Sequence, residues 1–262
     1  MQRGETMGTD PTILILTPMK DAGRHLEGYF AGLARLDYPK SLISLGFLEG
    51  DSADDTAEQV ELKLGDLRRT FAGAALWRKH FGVQMPQGTP RWEFAYQLPR
   101  RKTLARARNH LLFHALQDQE WVLWLDVDVI DFPTDLIQLL LGAERDIVHP
   151  HCVREAGGDT YDLNAWRAHG AQAMGDLRGG PDLVRLDAVG GTALLVRADV
   201  HRDGLIFPPF PYGGGNPAIR SPHPLGPGVR GEIETEGLGI MAIDMGYQCW
   251  GMPNLEVVHA RD

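Results

Sequence analysis

Between Thr12 and Thr17 the chain reads Ile13-Leu14-Ile15-Leu16, with no polar residue to face water on either side of an extended segment. A strand buried on both faces belongs to a parallel sheet covered by helices, so this run already constrains the fold to the α/β class. Leu26, Tyr29, Phe30, Leu33 and Leu36 follow at helical spacing, Tyr38-Pro39 stops that helix, and a second strand is predicted near residues 42–48, completing a βαβ unit. A helix from about Asp54, capped by Ser52 or Asp54, comes next. Residues 77–100 are aperiodic and read as a loop, and a helix over 102–117 leads into Trp121-Val122-Leu123-Trp124-Leu125, a third buried strand. Short strands are expected at 146–150, 184–186 and 192–196, the last two as a pair flanking Gly190-Gly191, then a final helix at 236–245 and a strand at 255–258. Residues 213–231, crowded with Gly and Pro, read as a mobile lid. One domain is expected, with a first half over 12–128 and a second over 129–262.

The chain carries 26 Lys+Arg against 35 Asp+Glu, a net charge of −9, so its surface repels nucleic acid and anionic membrane, and a phosphate-bearing ligand needs a local basic pocket. Cys152 and Cys249 have neither zinc-site spacing nor the density of a disulfide framework. No stretch reaches the roughly 18 apolar residues of a membrane span, and the polar start has no signal-peptide core, so a cytoplasmic location is expected.

The third buried strand ends in Asp126-Val127-Asp128, at the edge where open α/β sheets hold their ligands. Strand periodicity places both carboxylates on one side, where a hard divalent cation would relieve their repulsion; an Asp-x-Asp also serves simply to cap a turn. His259 ends the last apolar strand, where it is either a third, nitrogen ligand that favours Mn²⁺ over Mg²⁺ or an ordinary histidine. Arg100-Arg101-Lys102 and Arg106-Ala107-Arg108-Asn109 are the one concentrated basic stretch, fit for phosphate and for a base or ribose, or else a solvated helix face. His110 and His114 on the same helix lack a third ligand and read as packing or surface residues. Glu49-Gly50-Asp51-Ser52 closes the second strand on the same edge, so Asp51 is a candidate contact to a nucleoside. Glu234 and Glu236 precede the last helix, and Asp187 lies beside Gly190-Gly191; these acids suit sugar hydroxyls, proton transfer or mere helix capping.

Taken in order, Leu16-Thr17-Pro18-Met19-Lys20, Glu49-Gly50-Asp51-Ser52, Arg106-Ala107-Arg108-Asn109, Trp121 to Asp128, Tyr161-Asp162-Leu163-Asn164-Ala165-Trp166, Leu186 to Val196, Phe207 to Tyr212, Glu234-Thr235-Glu236-Gly237-Leu238 and His259 make the chain resemble a GT-A nucleotide-sugar glycosyltransferase over about residues 12–260. The closer resemblance is to glycosyltransferase family 62, the fungal α-1,6-mannosyltransferases of the mannan polymerase complexes. It implies a Rossmann-like GT-A fold, GDP-mannose as donor, a carbohydrate acceptor, Mn²⁺ (or Mg²⁺) on Asp126, Asp128 and His259, and transfer with retention. It places Thr17, Pro18, Glu49, Asp51, Arg106, Arg108, Asn109 and Asp126 on the nucleotide, and Asp187, Glu234 and Glu236 on the sugar or acceptor. The family's membrane anchor is not seen in this sequence, so mannan polymerisation is not implied with the rest, and homo- or hetero-oligomers both remain open. An inverting transferase with Glu234 or Glu236 as base, and a non-catalytic nucleotide-sugar-binding subunit, are the competing readings.

Overall fold

Strand β1 (Ile13–Met19) sits where the apolar run predicts it, and its alternation divides the interior in two. Ile13 and Ile15 face one core and Leu14 and Leu16 the other. The computed structural model describes residues 10–82, 94–220, 223–226 and 228–261. Helix α1 (Gly23–Arg35), strand β2 (Ile43–Glu49), helix α2 (Thr56–Thr70), strand β3 (Gly73–Arg78), helix α3 (Phe94–Ala115) and strand β4 (Trp121–Leu125) form the first half. After them come β5 (Val129–Asp131), α4 (Leu136–Gly142), β6 (Ile147–Val153), the two-residue strands β7 (Trp166–Arg167) and β8 (Gln172–Ala173), β9 (Val184–Leu186), β10 (Ala193–Arg197), α5 (Ala198–Arg202), α6 (Glu234–Asp244) and β11 (Cys249–His259).

The main sheet runs β3-β2-β1-β4-β10-β6-β11-β5, with β9 on β11. Strands β3, β2, β1 and β4 are mutually parallel, β10 is antiparallel to both its neighbours, and β6 and β11 are parallel again. Helices α1, α2 and α4 pack through Leu26, Leu33, Val60, Leu136 and Leu140 on the face of Ile13 and Ile15. Helices α3 and α6 cover the other face through Ala105, Leu111, Leu112, Leu238 and Ala242, with Trp124 and Phe207. The parallel strands therefore end together on one edge, where Asp126 begins. Cys152 and Cys249 are buried and unbonded, and among the described residues no helix is long and apolar enough to cross a membrane.

Several expectations need correction. Strand β3 was not expected: Gly73-Ala74-Ala75 has little apolar bulk, and the strand occupies the sheet's edge. Of the loop expected over 77–100, residues 83–93 lie outside the described ones, and helix α3 already runs from Phe94, through Pro99, where a proline normally argues against helix. Strand β11 begins at Cys249, well before residue 255, because its pairing with β6 breaks between Met252 and Glu256, so the chain passes Pro253 as a bulge and resumes in register. Strands β9 and β10 do not pair with each other. Ser52 does not cap α2, since its hydroxyl accepts from Asp21 N–H at 3.0 Å; Asp54 does reach Thr56 N–H, at 3.1 Å. The expected lid over 213–231, of which residues 221, 222 and 227 lie outside the described ones, has its ends joined by a reciprocal backbone pair between Tyr212 and Glu232, 2.8 Å each way.

Behind β4, His201 is buried between Trp124 and the backbone, with Nδ1 bonded to Leu205 O at 2.7 Å and Nε2 accepting from Trp124 Nε1 at 3.3 Å. Both ring nitrogens are satisfied only in the neutral form, and burial lowers its pKa from 6.5 to about 4, the bond to Leu205 opposing. The unfolded chain thus takes up this proton first, and stability falls as pH drops from 6.5 toward 4, by on the order of 3 kcal/mol. Urea melts at pH 7 and pH 4.5 should show that loss in the native chain and a clearly smaller one in His201→Gln.

Candidate active site

Arg108 lies on the buried side of α3, and Asn109 explains why that part of the helix is fixed. The Asn109 side chain bonds the Phe207 backbone both ways, Nδ2 to Phe207 O at 2.7 Å and Phe207 N–H to Oδ1 at 2.9 Å. This clamp seats the Phe207 ring, so that the Arg108 guanidinium stands 5.4 Å from its centroid and 5.6 Å from that of Trp124. Arg108 Nη2 donates to Asp126 Oδ1 at 3.0 Å and Nε to Glu234 Oε1 at 3.1 Å. Burial works against the guanidinium charge, yet the two carboxylates more than offset it and its pKa is raised. Nη1 is buried and has no hydrogen-bond partner among the described residues. A buried N–H of that kind is costly unless an acceptor arrives.

The two acids of the Asp-x-Asp do not share a strand face, because β4 stops at Leu125 and Asp126 to Asp128 form a turn into β5. Asp126 turns to Arg108, and its N–H is held by Thr192 O at 2.9 Å. Its pKa rises to about 6, chiefly by burial and also through Asp128, with Arg108 pulling the other way. Asp128 Oδ1 instead meets His259 Nε2 at 3.0 Å. The His259 ring stacks on Tyr161 at 3.6 Å and its Nδ1 is bonded to Ala260 O at 2.6 Å, which leaves Nε2 as the outward nitrogen. Burial disfavours charge on that ring, but its bond to Asp128 prevails and the pKa is raised.

These donors fit a divalent cation in part. Neighbouring ligands of an octahedral ion held at about 2.1 Å lie about 3 Å apart, which is the Asp128–His259 spacing. Asp126 is not directed to the same point, and among the described residues no group of three His, Cys, Asp or Glu side chains is arranged to hold a metal.

The remaining expected residues divide in the same way. Asp51 lines a cavity of about 370 Å³ with Glu49, Ser52, Arg78 and His80. Its carboxylate accepts Phe81 N–H at 3.0 Å and pairs with His80. Glu49 accepts Ser52 N–H at 2.8 Å and stands 3.5 Å from Arg78. Thr17 is buried with its hydroxyl on Tyr29 OH, and Pro18 continues β1 beside Leu48. Arg106 does not act beside Arg108, because two residues along a helix point apart; it is exposed over the Phe81 ring, 5.6 Å away. Asn109 is buried and its amide is turned to the Phe207 backbone, which it bonds through both Nδ2 and Oδ1. His110 and His114 pack against Phe81 and Trp77, as read from sequence. Asp187 accepts a long bond, 3.4 Å, from His169 N–H.

Glu234 and Glu236 are not free acids. Glu234 holds Arg108, and Glu236 is fully buried among Trp166 Nε1, 3.1 Å away, Arg101 and Arg220. Arg220 and His223 also bind Glu232, at 2.8 and 3.0 Å. Sequence reasoning missed Glu232, Arg220 and His223. The alternating Glu232-Ile233-Glu234-Thr235-Glu236 was the available signal, since three acids beside an apolar helix demand cations. Asp162 was also missed as a site residue; buried, it accepts Gly191 N–H at 3.0 Å and Thr192 Oγ1–H at 3.1 Å, so it shapes the turn against Arg108.

The Anp1 family model matches residues 2–177 and 168–211. The mannan polymerase II complex anp1 subunit of Schizosaccharomyces pombe is 30% identical over 94% of this chain and 63% of its own length. The mannan polymerase complex subunit mnn9 of the same yeast is 32% identical over 94% of this chain and 79% of its own. Among solved structures, a mannosyltransferase of Pyrobaculum calidifontis in complex with GDP-Man and Mn²⁺ superposes with a TM-score of 0.58 at 17% identity, covering 96% of this chain and 57% of that one. The chain thus spans under two thirds of the first relative, and its architecture is the GT-A glycosyltransferase fold.

Gly191 tests how closely the site is built. A Cβ there would lie 2.5 Å from Arg108 Nη2 and 2.8 Å from Thr235 Cγ2. Gly191→Ala should cost about 1–3 kcal/mol in a denaturant melt, whereas alanine at the open Gly142, the last residue of α4, should be neutral or slightly stabilising.

Proposed function

The chain belongs to the Anp1 family, and from that premise we propose that it is a metal-dependent, retaining α-mannosyltransferase that moves mannose from GDP-mannose to a hydroxyl of a saccharide or glycoconjugate. The observation that carries the reading is the buried Arg108 Nη1, without an acceptor among the described residues and beside Asp126 at the carboxyl edge of the parallel strands. A diphosphate oxygen is the acceptor that such a guanidinium suits.

Asp128 and His259 would hold the cation, with Asp126 between them and Arg108; bound there, Mn²⁺ or Mg²⁺ neutralises the leaving diphosphate. Arg108 binds the same group and stabilises the charge that develops on it. Asp51 lines the cavity proposed for the nucleobase, and taking the base means exchanging its bonds from Phe81 and His80. The acids best placed to be a base are engaged, Glu234 by Arg108 and Glu236 by Arg101 and Arg220. That favours retention, in which the departing phosphate oxygen takes the acceptor proton and no protein base is required. GDP and mannose are supported by the ligand of the Pyrobaculum enzyme and by the relatives' names, and those names also support assembly with other subunits.

A second reading, a nucleotide-sugar-binding subunit without turnover, is favoured by Asp126 facing Arg108 and not the Asp128–His259 pair. A thermal-shift screen of GDP, UDP, ADP and TDP, each with and without Mn²⁺, should show metal-dependent stabilisation by GDP alone. NMR of the product from GDP-mannose and a mannoside acceptor should show an α linkage. Asp128→Ala should lower turnover by a factor on the order of 100 or more while the chain remains folded by circular dichroism. Binding of GDP with Mn²⁺ but neither transfer nor donor hydrolysis would establish the second reading, and a β product would exclude retention.

A further inference from the structure

From Asp126 a line of alternating charges runs through the interior. Arg108 joins Asp126 at 3.0 Å to Glu234 at 3.1 Å. Arg101 stands 3.8 Å from Glu234, pairs closely with Glu236, and is braced by Ile233 O at 2.7 Å. Arg220 pairs with Glu236 and, at 2.8 Å, with Glu232, which meets His223 at 3.0 Å. No side chain from Arg108 to His223 in this line is more than 16% exposed, so water screens little of it. The line joins α3 and the start of α6 to Arg220, which comes from the segment between Tyr212 and Glu232 and lies over the Trp166 ring, 5.0 Å from its centroid.

We infer that Arg220 is a positioning residue for the donor site: it acts through Glu236, Arg101 and Glu234 to hold Arg108 against Asp126. The direction follows from charge balance. Without Arg220, the buried Glu236 has Arg101 as its one remaining cation among the described residues and draws it from Glu234, whose contact at 3.8 Å is the loosest in the line. Glu234 then competes harder for Arg108, against Asp126 and against whatever anion Nη1 receives. The inference rests on the reading that a nucleoside diphosphate binds at Arg108.

GDP affinity in the presence of Mn²⁺, measured by calorimetry on the native chain, Arg220→Gln, Arg108→Lys and the double variant, tests it. Arg220→Gln should weaken GDP binding about fivefold, a size ordinary for a coupled network. Because Arg220 acts through Arg108, the double variant should bind no more weakly than Arg108→Lys alone. If Arg220→Gln fails to fold, Arg220→Lys, which keeps the charge but loses the fork, takes its place with a smaller loss expected. Unchanged affinity in the Arg220 variant, or losses that multiply in the double variant, would overturn the inference while leaving the donor site intact. No GDP binding by the native chain would overturn the donor reading itself, and this inference with it.

Discussion

A guanidinium taken out of water costs several kcal/mol unless its surroundings supply charge and hydrogen bonds, and the site is organised around meeting that cost for Arg108. Asp126 comes from the end of β4, Glu234 from the start of α6, and the aromatic faces from Trp124 and Phe207. Gly191 keeps the approach clear, and Asn109, next along the helix, clamps Phe207 in place. Segments far apart in sequence thus converge on one cation. The same requirement explains why the acids ahead of α6 are engaged by arginines and unavailable for proton transfer.

The parts legible in the sequence were those where burial leaves an unbroken mark. β1, β2 and β4 are apolar on both faces, so no register of a helix or a half-exposed strand accommodates them. β3 carries small residues at an edge, α3 runs through Pro99, and β11 absorbs Pro253 in a bulge, so local composition misreported all three. In the candidate site, the nearness of Asp126, Asp128 and His259 was legible because all three follow or end strands on one sheet edge. What each touches was not: the turn after Leu125 sends the two aspartates apart, and Asn109 spends its amide on backbone that is remote in sequence. Arg220 and Glu232 lie in Gly- and Pro-rich chain without periodicity, where spacing carries no information about partners.

Among the described residues, positive φ outside glycine occurs at Asp21, Asp51, Glu144, Ala168, His169 and Glu234, and two of these belong to the candidate site. Asp51 and Glu234 have φ of 61° and 59°, the left-handed region that costs a residue with a Cβ about 1–2 kcal/mol. Aspartate tolerates this region better than glutamate does, and each carboxylate is fixed by more than one partner. At Glu234 the twist comes at the first residue of α6, where the side chain meets Arg108 as the helix begins to cover the sheet. At Asp51 and Glu234 the partners of the side chain hold a backbone conformation that is otherwise rarely adopted, and both acids belong to the candidate site.

β10 lies between β4 and β6, so the centre of the sheet is closed by residues that come late in the chain. During synthesis the βαβ unit of β1 and β2 can form early, but Asp126 N–H has no acceptor until Thr192 has emerged, and Asp128 has no imidazole until His259 does. An incomplete nascent chain therefore carries the β1–β2 scaffold without the contact between Asp128 and His259. On the proposed function, a donor and metal would add their binding energy only once Thr192 and His259 are in place, so they would reward late folding and not template it.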